Sequence, residues 1–137
     1  MGYANTLIAI ETYTPSDTIV AENAAVTSTN SLNVYVKLKE ITLVSDIGSP
    51  SLFRFDFDMQ RTVVGIAKGK IYRNGVAVGT EQSNAGGYAT FTEDIVTSNW
   101  AVGDRIQLYG QTNNAGGTCE VRNFRIKGTG SYWENTL

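Results

Sequence analysis

The sequence predicts an all-β chain folded as an antiparallel β-sandwich, a jelly roll of about eight strands. Three observations predict it. β-Branched and aromatic residues recur with period two between clusters of turn formers, no window carries a sustained helical stripe, and turn signals fall roughly every 8 to 12 residues. At 137 residues, with 42% apolar and 18% charged residues, the chain is long enough for one core that needs no metal or disulfide. It divides into an N-terminal arm or first strand (1–14), the sandwich (15–128) and a C-terminal tail (129–137).

Tyr3 to Tyr13 is the arm or first strand. Ser31 to Ser45 alternates Leu32, Val34, Val36 and Leu38, then changes phase to Ile41 and Leu43. A bulge or bend near Glu40 accounts for the change and suits a strand shared between two sheets. In Ser51 to Asp58, Phe53, Phe55 and Phe57 face one way and Arg54, Asp56 and Asp58 the other, so one face is core and the other meets water or a neighbour. Val63 to Tyr72 is the next strand. Asn74-Gly75 supplies the positive-φ pair of a two-residue hairpin turn, which returns Val76 to Thr80. Tyr88 to Val96, Asp104 to Gly110 and Thr118 to Lys127 complete the set, with a turn or so of helix expected between Asp94 and Trp100 before Gly103.

Asn84-Ala85-Gly86-Gly87 recurs as Asn114-Ala115-Gly116-Gly117, each time just before a strand. Antiparallel succession puts loops 81–87 and 111–117 at the same end of the sandwich, with Asn74-Gly75 and Trp100 at the other.

Composition narrows the chemistry. The net charge of −2, with no run of Lys or Arg, leaves no footprint for nucleic acid or an anionic membrane, and the apolar runs are far shorter than the roughly 20 residues of a membrane helix. No basic region precedes a long apolar stretch after Met1, so no cleaved signal is expected. The chain has no histidine, which removes every mechanism using it as base, nucleophile or ligand. Two carboxylates could still serve a glycosidase, and Asp56 with Asp58, or Glu93 with Asp94, are the pairs available. A solvated or Arg-paired strand face explains them without catalysis. Dense oxygen clusters for calcium are lacking, and no cofactor is expected. Cys119, the sole cysteine, reads as a small buried side chain.

Binding residues remain. Sugar-binding modules stack pyranose rings on Trp and Tyr while Asn and Gln read the hydroxyls. Gln82, Asn84, Tyr88, Asn113 and Asn114 are the candidate ligand loops, with Gln111 nearby, although Asn and Gly are also what turns are made of. Trp100 most simply plugs the end of the core. Tyr132 and Trp133, hung on Gly128-Thr129-Gly130, dock on their own domain or on a neighbouring chain, and with Tyr3 they are the candidate assembly contacts.

Ile71-Tyr72-Arg73-Asn74-Gly75, Gly86-Gly87-Tyr88-Ala89-Thr90, Trp100-Ala101-Val102-Gly103-Asp104-Arg105-Ile106-Gln107-Leu108 and Asn123-Phe124-Arg125-Ile126-Lys127-Gly128 together resemble, in order and spacing, the second half of the trimeric jelly rolls of the C1q and tumour-necrosis-factor type. Phe124-Arg125-Ile126 replaces the family's usual small-residue run. Stand-alone sandwiches of phage and archaeal-virus particles are similar in their Thr, Asn and Gly content. The resemblance implies a non-enzymatic virion protein, made in the host cytoplasm without a signal, that decorates or cements a capsid as a homotrimer and contacts a major capsid or tail protein. It also implies an outer face, bearing Tyr35 or Tyr109, between subunits. The alternative partner is a glycan, bound by a fibre tip or sugar-binding module.

Overall fold

The computed structural model describes residues 17–44, 51–97, 100–128 and 133–136. They form β1 (Ile19–Asn23), β2 (Thr27–Thr29), β3 (Val36–Leu43), β4 (Ser51–Thr62), β5 (Ala67–Arg73), β6 (Val76–Ala77), β7 (Gln82–Asn84), β8 (Ala89–Thr97), β9 (Arg105–Thr112), β10 (Thr118–Lys127) and β11 (Trp133–Asn135). One sheet runs β11-β3-β9-β5-β6 with β7 also paired to β5; the other runs β1-β10-β4-β8 with β2 also paired to β10. All of these strand pairings are antiparallel. The all-β sandwich expected from period-two patterning is therefore observed, built from more strands than the eight expected.

The core lies between the sheets because both contribute one apolar phase. Phe53, Phe55, Phe57 and Met59 of β4, with Cys119, Val121, Phe124 and Ile126 of β10, pack against Ile41, Leu43, Ile71, Ile106 and Leu108 of the facing sheet. Each large side chain so buried contributes roughly 1.5–3 kcal/mol. Gly69 and Gly110 pair across β5 and β9 on the inward face. A Cβ on Gly69 would lie 3.1 Å from the Phe57 ring, and one on Gly110 would lie 2.6 Å from Leu38 and 3.0 Å from Cys119. Larger residues there would compete with the aromatic filling for the same space.

At one end, Asn74 and Gly75 take φ of 52° and 81°, both positive as the type I′ hairpin needs. Trp100 closes this end as expected, edge-on to Phe53 with centroids 5.9 Å apart and with the Arg73 guanidinium 4.4 Å from its centroid. At the other end both Asn84 and Thr112 pair with Ala67, so the two related glycine loops emerge together, as antiparallel succession requires. Cys119 is buried, and burial pushes its thiol up to about 12.

Several expectations are corrected. The strand expected from Ser31 begins at Val36, because Leu32 and Val34 lie exposed outside the sheet's apolar phase. The bulge is at Leu38, left unpaired between Leu108↔Lys39 and Tyr109↔Lys37, and β3 stays within one sheet. The extra residue lets both Leu38 and Lys39 turn inward. Lys39 is fully buried, and its ammonium donates to Asn23 Oδ1 at 3.0 Å and to the Ala25 carbonyl. Burial pulls its pKa down. Val63 and Val64 form an exposed turn before β5. No helix begins at Asp94, which is paired in β8 with Arg54, and the strand runs through to Thr97.

The tail folds back on its own domain. β11 pairs Trp133, Glu134 and Asn135 with Leu43, Thr42 and Ile41, making it an edge strand of the first sheet. Asn135 Nδ2 donates to the Glu22 carbonyl at 2.6 Å and Thr136 Oγ1 to Glu40 Oε1 at 2.7 Å. Tyr3 and Tyr132 lie outside the described residues.

Candidate functional site

The two outer faces of the sandwich differ in kind. On the β1-β10-β4-β8 sheet the polar phases meet as an ionic lattice. Arg54 bonds Asp94 and Asp17, Arg125 bonds Glu22 and Asp56, Lys127 bonds Asp56, and Arg122 bonds Asp58. Asp58 also accepts from Thr90 and Asn123. Burial alone would raise its carboxyl, but these hydrogen bonds outweigh burial and hold it low. Glu93 points inward from β8 and accepts from Thr80 N and Oγ1, whereas Asp94 faces outward to Arg54. The carboxylates of both pairs named from the sequence are thus taken up by ion pairs and hydrogen bonds within the domain, whereas two-carboxylate hydrolysis needs both groups directed at a substrate.

The candidate loop residues are likewise committed to structure. Asn84 Nδ2 donates to the Met59 and Gly87 carbonyls at 2.7 and 2.8 Å, and its Oδ1 accepts from Gly86 N. Asn113 Oδ1 accepts from Ile66 N at 2.8 Å. Asn114 N donates to Thr112 Oγ1, and its carbonyl accepts from Gly117 N. Gln82 Nε2 donates to Thr80 Oγ1. Tyr88 lies under the Arg122 guanidinium, 3.7 Å from the ring centroid, and donates its hydroxyl to Glu120 Oε2 at 2.7 Å. Burial and that carboxylate push its phenol up to about 12. The side chains of Gln82, Asn84, Tyr88 and Asn113 thus close turns and join strands, while Asn114 takes part through its backbone.

The other outer face collects the aromatics. In β5 the inward phase is Ala67, Gly69 and Ile71, so Lys68, Lys70 and Tyr72 face out. In β9 the inward phase is Ile106, Leu108 and Gly110, so Gln107, Tyr109 and Gln111 face out. Tyr35, just ahead of β3, shares the outward phase of Lys37. Sheet order places β9 between β3 and β5, and that order assembles three tyrosines from distant segments. Tyr72 and Tyr109 stack with centroids 3.9 Å apart and planes 13° from parallel. Tyr35 leans on Tyr72 at 6.2 Å and 55°. The Lys70 ammonium lies 5.1 Å from the Tyr35 centroid. All three rings are half-buried.

Polar groups frame the rings. Tyr35 Oη donates to Glu81 Oε2 at 2.5 Å; burial and the Glu81 bond raise its phenol, and neighbouring Gln111 offsets part of the rise. Lys68 approaches Glu81 at 3.8 Å. At the far side Glu40 accepts from Lys37, Gln107 and Thr136. Burial pushes the Glu40 carboxyl up, but these three bonds outweigh it and hold it at about 2. Gln107 Oε1 in turn accepts from Gly75 N at 2.8 Å. The tyrosine face is thus an aromatic strip with hydrogen-bonding groups at fixed positions, built on paired strands and not on loops.

Comparison with known proteins bears on the fold. No family model matches the chain, and no curated protein matches it in sequence. Among solved structures, the C-terminal domain of EclA, described as a sugar-binding protein, is similar with a TM-score of 0.56 at 8% identity, over 93% of this chain and 99% of that one. The CBM22-1 xylan-binding domain of Paenibacillus barcinonensis Xyn10C aligns with a TM-score of 0.48 at 10% identity, over 86% of this chain and 100% of that one. The likeness to the EclA domain shows the same β-sandwich architecture.

Proposed function

We propose that this chain is a non-catalytic carbohydrate-binding module whose ligand lies across the tyrosine face. One observation carries the reading: Tyr35, Tyr72 and Tyr109 cluster on the solvent side of a sheet whose interior is already filled. Aromatic faces match the apolar C–H faces of pyranose rings, and a rim of Lys, Gln and Glu supplies donors and acceptors for hydroxyls. The ionic lattice of the opposite sheet offers no comparable surface. The sugar-binding description of the EclA domain is in keeping with this reading, as is the alternative partner raised by the sequence. Homotrimeric assembly in a virion, implied by the C1q-type resemblance, has no such observation behind it. The assembly contact expected of Trp133 is an intrachain strand pairing along β3.

Isothermal titration of the chain with xylohexaose, cellohexaose, mannohexaose and a galacturonate hexamer tests the reading. At least one hexasaccharide binds, Tyr109→Ala and Tyr72→Ala each weaken it about tenfold or more, and Tyr109→Phe retains it, because stacking needs the ring and not the hydroxyl. Absence of binding across the panel, or binding untouched by either alanine, overturns it.

A further inference from the structure

Gln111 stands apart from every other polar side chain on the tyrosine face. It is only 8% exposed, and its Oε1 has no hydrogen-bond donor among the described residues. Nearly all buried acceptors in folded proteins are paired, and leaving one unpaired costs about 1–3 kcal/mol. The orientation of the amide follows from its neighbour. The single proton of the Tyr35 hydroxyl goes to Glu81 Oε2 at 2.5 Å, so that hydroxyl has no proton left to give Gln111 Oε1. With the Tyr35 proton committed to Glu81, Oε1 is the free end of the amide.

The position of that end is informative. Gln111 pairs with Lys68 across the sheet and follows Tyr109 in the same outward phase. Its side chain therefore shares the sheet face that bears the Tyr35, Tyr72 and Tyr109 rings. Its cross-strand neighbour Lys68 is partly exposed and approaches Glu81 only loosely, at 3.8 Å, so the lysine can swing aside while Glu81 keeps its bond from Tyr35.

We infer that Gln111 is a specificity residue of the tyrosine face, whose Oε1 accepts a hydrogen bond from a ligand hydroxyl once Lys68 and Glu81 part. The inference rests on the carbohydrate reading and sharpens it. A sugar presenting a hydroxyl donor beside the stacked rings is selected, and one presenting a methoxy or ester oxygen at the same place is refused. Acceptor against acceptor would leave both desolvated and unpaired. Tyr35 and Glu81 are positioning residues, because their bond keeps the Tyr35 proton away from Oε1.

The test uses the hexasaccharide from the panel that binds the wild-type chain. Gln111→Met removes the acceptor at similar volume. Affinity is expected to fall about tenfold while the thermal midpoint does not fall, because an unpaired buried oxygen is removed along with the Tyr35 contact. In 15N-labelled wild-type protein, the side-chain amide pair that disappears in Gln111→Met should shift on adding the hexasaccharide. Unchanged affinity in Gln111→Met, or an amide pair that stays in place in saturated wild-type protein, overturns the inference and leaves the carbohydrate reading standing. If no hexasaccharide binds the wild-type chain, that reading falls and this inference with it. Should Gln111→Met fail to fold, the amide pair is assigned through the Gln111 backbone in 13C,15N-labelled wild-type protein, and its shift alone decides.

Discussion

Glu40 links the C-terminal strand to the tyrosine-bearing sheet, and its protonation should set the acid stability of the fold. Its side chain is 7% exposed and accepts from Gln107 at 3.0 Å, Lys37 at 3.0 Å and Thr136 at 2.7 Å. The carboxyl titrates near about 2 in the folded chain against an ordinary 4.5, a difference worth about 3 kcal/mol. Because the folded value lies below the unfolded one, that stability is complete above about 4.5 and is lost as pH falls toward 2. Urea unfolding of the wild type and Glu40→Gln across this range isolates it. Asp58 and Asp104, which are also held low, titrate alike in both proteins and cancel. The gap between the two proteins should shrink by about 3 kcal/mol between about pH 6 and pH 2, with m unchanged. A gap that stays constant over that range would refute the assigned role of Glu40.

Further outcomes follow from single residues. Val63 is 77% exposed yet sits at a φ of 73°, where a β-branched side chain is strained; Val63→Asn should raise stability by about 1 kcal/mol in urea titration. Thr136→Val removes one of the three bonds to Glu40, and should cost about 1 kcal/mol near neutral pH while flattening the acid dependence. Cys119, buried with its thiol near about 12, should resist a thiol reagent in the native protein and react fully only in denaturant. Gly110→Ala should destabilise the core by about 1–3 kcal/mol, since its methyl would lie 2.6 Å from Leu38 and 3.0 Å from Cys119.

The sequence exposes much of this fold, because one-dimensional patterns carry it. The phenylalanine phase of β4, the Asn74-Gly75 turn, the core plug at Trp100 and the shared end of the two glycine loops all follow from periodicity or turn chemistry. Leu32 and Val34 mislead, since they continue the alternation into a segment that touches β9 only through an isolated bridge at Thr112 and leaves both side chains exposed. The helical turn expected after Asp94 gives way to strand as far as Thr97, because Ile95, Val96 and Thr97 are β-branched and pair across to β4; residues 98 and 99 lie outside the described residues.

The tyrosine face is harder to read. Its members sit at positions 35, 72 and 109 and meet only through the order β3-β9-β5, which depends on tertiary pairing. A local signal did exist. Tyr72 follows Lys68 and Lys70 in the polar phase of its strand, and Tyr109 lies between Gln107 and Gln111 in the polar phase of its own. An aromatic out of phase with the apolar residues of its strand points to a surface with work to do. Loop asparagines drew attention instead, although turn closure already accounts for them.

The central claim is that ligand meets the paired strands bearing the tyrosines and not the glycine loops at the sandwich end. Amide chemical-shift mapping of the 15N-labelled chain with the bound hexasaccharide tests it most directly. The account predicts shifts concentrated at Tyr35, Lys70, Tyr72, Tyr109 and Gln111. Shifts confined to Asn84 through Gly87 and Asn113 through Gly117, with the tyrosine strands silent, would contradict it.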